Sequence, residues 1–213
     1  MKILTPFAEN GNKWACFAQQ FSLTKKQLDQ FQQYEKLLRE WNDKINLTAI
    51  TDTSNIISDH FEDSIMLTKF VNFSKISSIA DIGAGGGLPG IPLKICFPHL
   101  SLILIEVIQK KVKFLHKVIE DLELDNVEIY DKDWRTFLRK TDYDIDLFLA
   151  RASISPDELV RMFKSGCVYR KSELVYWASA QWEPSKTVAP YVVQEKAYTV
   201  NNKQRRYIFF KAT

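Results

Sequence analysis

From residue 78 onward, short uninterrupted apolar runs alternate with longer stretches whose apolar residues recur every three or four positions. Those are the signatures of buried strands and of amphipathic helices. The pattern predicts strands over 78–83, 101–106, 126–131, 144–150 and 173–178, with helices over 89–97, 108–124, 134–140 and 155–165. Alternation of this kind builds a mostly parallel, doubly wound α/β sheet, because each parallel pair needs a crossover. Two last runs, 192–200 and 206–211, flank Asn201-Asn202-Lys203-Gln204 and predict a C-terminal antiparallel hairpin. Upstream, Thr24-Lys25-Lys26-Gln27 has the form of a capping box, and Leu28, Phe31, Tyr34, Leu38 and Trp41 follow at helical spacing, a face expected to dock on the sheet. Residues 1–75 thus read as an N-terminal helical extension and 76–213 as the α/β core of a single domain.

The first strand runs into Asp81-Ile82-Gly83-Ala84-Gly85-Gly86-Gly87-Leu88-Pro89-Gly90, which holds five of the seven glycines in the chain. Glycine at this density between a strand and a helix marks a nucleotide-binding loop, since the backbone must take positive φ and let a ligand lie against it. Two readings compete. Gly85 to Gly90 satisfies G-x-G-x-x-G, in which a pyrophosphate rests on a helix N-terminus. The preferred reading is Asp81-x-Gly83-x-Gly85, with an acid at the strand end pointing at the ligand. A carboxylate there suits a cation, and S-adenosylmethionine carries an ammonium and a sulfonium.

The second strand, Ser101 to Ile105, ends in Glu106, about 25 residues after Asp81, where a carboxylate accepts hydrogen bonds from ribose hydroxyls. Arg151 follows Asp146-Leu147-Phe148-Leu149-Ala150 at the carboxyl end of a strand, where open α/β sheets place their ligands. It is the residue expected at the reaction centre; the competing reading is a surface salt bridge to Asp144 or Asp146.

Composition narrows the class. The chain has 213 residues, 46% of them hydrophobic, and a net charge of +3. No apolar run approaches the roughly 20 residues of a membrane span and no signal-peptide pattern precedes the helices, so a cytoplasmic protein is expected. Cys16, Cys96 and Cys167 are odd in number and far apart, which argues against a disulfide framework and against a metal site. Basic residues cluster at Lys110, Lys111, Lys113 and Lys117, at Lys132, Arg135, Arg139 and Lys140, and at Lys203, Arg205 and Arg206. Three such clusters near the loops of one nucleotide fold point to a phosphate-rich partner.

Beyond the loop, Trp41-Asn42-Asp43-Lys44-Ile45-Asn46-Leu47-Thr48, His60-Phe61-Glu62-Asp63-Ser64, Leu88-Pro89-Gly90-Ile91-Pro92-Leu93, Lys110-Lys111-x-Lys113-Phe114-Leu115 and Arg151-Ala152 together resemble the bacterial 16S ribosomal RNA guanine-N7 methyltransferase family, also called glucose-inhibited division protein B. The resemblance implies a Rossmann-like class I methyltransferase fold, S-adenosylmethionine as cofactor, and 16S ribosomal RNA or the small ribosomal subunit as partner; the oligomeric state is not given by the sequence, a monomer being the simpler expectation. It implies donor contacts at Asp81, Gly83, Gly85, Leu88, Glu106, Trp134, Arg135 and Arg151, with Arg151 also in the catalytic role. On their own, Asn46-Leu47-Thr48 and His60 to Ser64 serve equally as helix caps or as ligand contacts.

Two positions depart from the family pattern. Trp134-Arg135 stands where a small residue and a glutamate are usual, which is expected to set an indole beside the adenine; glutamate at 135 is expected to preserve or improve donor binding. Ala178-Ser179-Ala180 replaces the usual Lys-Gly. There is no Asn/Asp-Pro-Pro-aromatic run and no cysteine after a proline, the signatures of exocyclic-amine and pyrimidine-carbon methylation. Guanine N7 has an in-plane lone pair and no proton to remove, so it needs neither. The rival readings are an inactive homologue that binds cofactor or RNA, a small-molecule methyltransferase, and a nicotinamide-dependent oxidoreductase.

Overall fold

The computed structural model describes the backbone of residues 6–212 and the side chains of residues 12–212. Its strands are β1 (Ser78–Ile82), β2 (Ser101–Ile105), β3 (Val127–Tyr130), β4 (Leu147–Arg151), β5 (Glu173–Ser179), β6 (Val192–Val200) and β7 (Lys203–Phe210). They form one seven-stranded sheet in the order β3-β2-β1-β4-β5-β7-β6. The first five run parallel, and β7 inserts antiparallel between β5 and β6. β1 has β2 on one side and β4 on the other, so the crossovers leave it in opposite directions and open a crevice at the carboxyl ends of β1 and β4.

The helices are α1 (Pro6–Gln20), α2 (Lys25–Ile45), α3 (Thr53–Asn55), α4 (Asp63–Ile65), α5 (Gly90–Cys96), α6 (Gln109–Asp121), α7 (Trp134–Lys140) and α8 (Pro156–Leu159). Two apolar cores result. One face of the sheet is covered by the N-terminal helices with α5 and α6, and the other by α7, α8 and the segment after them. Among the described residues no helix is long and apolar enough to cross a membrane.

The capping box at Thr24 forms in both directions, Thr24 N donating to Gln27 Oε1 at 2.9 Å and Gln27 N to Thr24 Oγ1 at 3.3 Å. The aromatic stripe behind it docks on helices, not directly on strands: Trp41 packs on Phe114 of α6 at 5.6 Å, and Tyr34 stacks on Phe61 at 5.2 Å. Phe61 belongs to a π-helix, Ile56–Glu62, between α3 and α4. The wider i→i+5 turn re-aims the side chains it carries, and such insertions are frequent at functional sites.

Three predicted boundaries move for identifiable reasons. β4 begins at Leu147 instead of 144, because Asp146 Oδ2 accepts from Ser77 N (2.7 Å) and Ser78 N (3.0 Å) and so anchors the start of β1. The 155–165 helix is one α turn that tightens into a 3-10 segment, Val160–Phe163. The four-residue hairpin loop contracts to Asn201-Asn202 with φ of 48° and 59°, the positive pair that a tight two-residue hairpin turn requires. Lys203 therefore lies in β7.

Candidate active site

The glycine loop leaves β1 by crossing the end of β2. Gly83 N and Ala84 N donate to Ile105 O at 2.8 and 3.0 Å, and Gly85 N donates to Glu106 Oε2 at 2.9 Å. The other carboxylate oxygen of Glu106 accepts from Ile108 N at 2.8 Å. Two backbone donors therefore fix this nearly buried carboxylate at the cleft, each oxygen keeping a free lone pair. Gly83 has φ +67°, and a Cβ there would stand 2.4 Å from the Cβ of Ser153. At Gly85 (φ +59°) the nearest atom to such a Cβ is 3.8 Å away, so the space above it is open. Tyr34, fully buried in α2, donates its hydroxyl to the Gly86 carbonyl and ties the loop to the N-terminal helices.

These elements enclose a cleft of about 400 Å³ at the crevice between β1 and β4. Of the residues expected to contact the donor, Gly83, Gly85, Leu88, Glu106 and Arg151 line it. Val107 and Ile108 add an apolar shelf beside Glu106, 56% and 48% exposed, and Lys111, Thr48, His60 and Ser153 are among the other residues of the wall. The shelf is a feature the sequence reading does not anticipate. Its signal is present, since two apolar residues follow the strand's acid where a polar turn is usual.

Asp81 is not in that wall, contrary to the expectation that it points at the ligand. It is fully buried beneath the loop, where Oδ2 accepts from Gly90 N at 2.8 Å and stitches the loop to the start of α5. Its Oδ1 has no partner among the described residues, and burial pushes the carboxyl up to about 7 despite the Gly90 N–H and the Arg151 charge.

Trp134 and Arg135 also lie outside the cleft. The indole is 5% exposed in the second core, stacked on Phe137 at 5.9 Å and edge-on to Phe148 at 5.6 Å. Arg135 is exposed and makes a two-pronged pair with Glu158, at 2.7 and 2.8 Å. Glutamate at 135 would therefore face Glu158 as a like charge and lose this pair. The Ala178-Ser179-Ala180 segment lines no part of the cleft.

Arg151 does not pair with Asp144 or Asp146. Its Nη1 donates to Asp63 Oδ2 at 3.0 Å and to Asp59 O at 3.4 Å, and its Nη2 meets His60 Nδ1 at 3.3 Å. Thr48 Oγ1 lies 2.8 Å from His60 Nε2. The two motifs that could serve as caps or as contacts thus join Arg151 in one chain of hydrogen bonds. Desolvation, with the Arg151 charge, lowers the His60 imidazole to about 3, outweighing the pull of Asp59, so the ring is neutral. Asp63 has no exposed surface, and besides Arg151 it takes Tyr198 Oη (2.8 Å) and Arg205 (3.1 Å) on its carboxylate and Tyr207 Oη (2.9 Å) on its carbonyl.

The C-terminal basic cluster is consequently committed. Lys203 pairs with Asp59 at 2.7 Å and Arg205 with Asp63, while Arg206, on the opposite face of β7, pairs with Glu195 at 2.9 Å. Two-residue alternation along a strand sends neighbouring cations to opposite faces.

Fold and cleft together define a class I methyltransferase architecture. Among solved structures, MtNAS in complex with MTA and tNA superposes with a TM-score of 0.61 at 16% identity, over 84% of this chain and 71% of that one. The precorrin-6y C5,15-methyltransferase of Geobacter metallireducens gives 0.53 at 16%, over 71% and 88%. The chain belongs to the rRNA small subunit methyltransferase G (GidB) family, whose model matches residues 27–208. Proteins named ribosomal RNA small subunit methyltransferase G from Geobacillus sp. (strain WCH70) and Bacillus subtilis (strain 168) are 44% and 41% identical over 133 residues. Each match covers 62% of this chain and 56% of the relative, so the chain aligns with little more than half of these proteins' length.

Proposed function

We propose that this protein binds S-adenosylmethionine in the cleft and transfers its methyl group to N7 of a guanine in 16S ribosomal RNA. The observation that carries the reading is Glu106, a carboxylate locked by Gly85 N–H and Ile108 N–H between an open glycine backbone and the Val107–Ile108 shelf. A nucleoside fits that arrangement: two acceptor lone pairs for ribose hydroxyls, an apolar ledge for a flat base, and no side chain above Gly85. Ser153 Oγ, buried at the cleft wall with no partner among the described residues, is a polar atom that a bound ligand would satisfy.

When bound, S-adenosylmethionine supplies a methyl on a sulfonium, which leaves as a neutral thioether. The chain's part is alignment and electrostatics. Arg151 directs three N–H groups at Asp63, Asp59 and His60, which leaves Nε–H and one Nη2–H for a carboxylate or phosphate in the cleft. His60, lowered to about 3, is a poor proton acceptor. That suits N7, whose lone pair forms the new bond with no proton to remove, leaving the positive charge on the purine. Lys110, Lys113 and Lys132, exposed and without an acidic partner among the described residues, stand near the carboxyl ends of β2 and β3 and are suited to RNA phosphates. The target base must be unstacked to enter, which favours a loop over a duplex. A ribosomal substrate implies a cytoplasmic enzyme.

The test pairs calorimetry with product analysis. S-adenosylmethionine should bind and NAD should not. After incubation with unmodified ribosomal RNA or small-subunit particles, mass spectrometry of the digested RNA should find 7-methylguanine. Methyl on ribose or on an exocyclic amine would overturn the acceptor, and binding without any transfer would favour the inactive-homologue reading.

A further inference from the structure

Hydrogen bonds around Thr48 dictate what its hydroxyl can offer to the cleft. The Arg151 guanidinium is a donor at every pH, and its Nη2–H is directed at His60 Nδ1. Against that fixed donor we assign Nδ1 as the acceptor in preference to a bond from Nδ1–H to the Asp59 carbonyl, since that other tautomer would set two N–H groups face to face. In a neutral ring the proton then sits on Nε2, which donates to Thr48 Oγ1 at 2.8 Å. Ile50 N donates to the same oxygen at 3.1 Å. Both lone pairs of Thr48 Oγ1 are thereby used, and among the described residues its own proton has no protein acceptor. Thr48 N is pinned to Asn42 Oδ1 at 2.8 Å, so the residue is held in the cleft wall from both ends.

We propose that Thr48 is a specificity-determining residue: its hydroxyl acts only as a donor and reads O6 of the target base beside the reacting N7. This inference rests on the guanine-N7 reading above. Guanine presents N7 and O6 as adjacent acceptors on one edge, whereas adenine presents N7 beside an N6 amino donor. A hydroxyl with both lone pairs occupied welcomes the first pattern and opposes the second. Arg151 and His60 are positioning residues in this scheme, since they set the polarity of a group that touches the base.

The experiment compares wild type, Thr48→Val and Thr48→Ser on two RNAs, one with guanine and one with 2-aminopurine at the target position. 2-Aminopurine keeps N7 and lacks O6. Single-turnover methyl transfer with labelled donor is read with enzyme in excess, and donor affinity and melting temperature are measured for each variant. The expected result is that Thr48→Val lowers the guanine to 2-aminopurine rate ratio about ten- to hundredfold, the worth of one hydrogen bond to a buried site, while Thr48→Ser keeps the ratio. Loss of rate by the same factor on both RNAs would show Thr48 to be a structural residue and overturn the inference while leaving the N7 reading intact. Failure of wild type to methylate the guanine RNA at N7 would overturn both.

Discussion

Replacing Asp63 with asparagine probes the buried network with almost no change in volume. The carboxylate is wholly inaccessible and holds two guanidiniums, Arg151 at 3.0 Å and Arg205 at 3.1 Å, with Tyr198 on its other oxygen. Removing one member of a buried pair leaves an uncompensated charge and typically costs about 3–5 kcal/mol. The lower end applies here, because the Arg205 side chain keeps 25% exposure and Asp59 remains 4.0 Å from it. A loss of about 3 kcal/mol in a chain of this size corresponds to a melting temperature roughly 6–12 °C lower. Urea unfolding followed by circular dichroism gives the number directly. Asp59→Asn is the comparison: Asp59 is also buried, but its lysine partner is 55% exposed and stays solvated when the charge is removed, so the change should cost less than Asp63→Asn. Asp63→Asn should also slow methyl transfer more than it weakens donor binding, because Arg151 loses its anchor while Glu106 is untouched. A destabilisation no larger than that of Asp59→Asn would refute the view that Asp63 organises the site.

Asp81 and His60 should pull the pH dependence of stability in opposite directions. The folded Asp81 carboxyl titrates near 7 against 3.8 unfolded, so stability falls as pH rises from about 4 to 7; His60 titrates near 3 against 6.5, so stability falls as pH drops through that interval. Urea midpoints from pH 4 to 8 should therefore rise with pH more steeply in Asp81→Asn than in wild type, by up to about 4 kcal/mol across the window, and parallel profiles would refute the Asp81 assignment. Gly85→Ala should lose donor affinity by calorimetry while unfolding only about 1 kcal/mol more easily from its positive φ, whereas Gly83→Ala, which collides with Ser153, should lose stability first. Changing Lys110, Lys113 or Lys132 to glutamine should flatten the salt dependence of RNA binding by about one unit for each phosphate left without its cation. Lys203→Gln should leave that slope unaltered, because Lys203 already neutralises Asp59.

How far the sequence reveals this molecule follows from how local each feature is. The glycine loop, Glu106 and the parallel strands are written in contiguous residues, and they lie where the apolar pattern puts them. Asp81 eludes that pattern because a strand-end acid has two possible uses, contacting a ligand or capping the backbone, and only the approach of Gly90 decides between them. Trp134 and Arg135 elude it because the turn after β3 directs the indole into a core made of Phe137 and Phe148. The cluster around Arg151 depends on pairings as distant as Tyr207 with Asp63, 144 residues apart, and no spacing rule reaches that far. Nor does periodicity distinguish a π-helix from an α-helix in so short an apolar segment.

The insertion of β7 between β5 and β6 bears on how the chain becomes competent. Tyr198, Arg205 and Tyr207, which close the cage around Asp63, come from the β6–β7 hairpin, while Asp63 itself is synthesised much earlier. A nascent chain halted before residue 198 would carry the glycine loop, Glu106 and Arg151, yet it would hold a desolvated acid without its tyrosines and a bare edge on β5. Pairing between residues so far apart raises the contact order, which across small domains goes with slower folding. The arginine at the cleft is thus held by an acid whose other partners arrive with the last two strands, and a polypeptide cut short of them should lack that anchor.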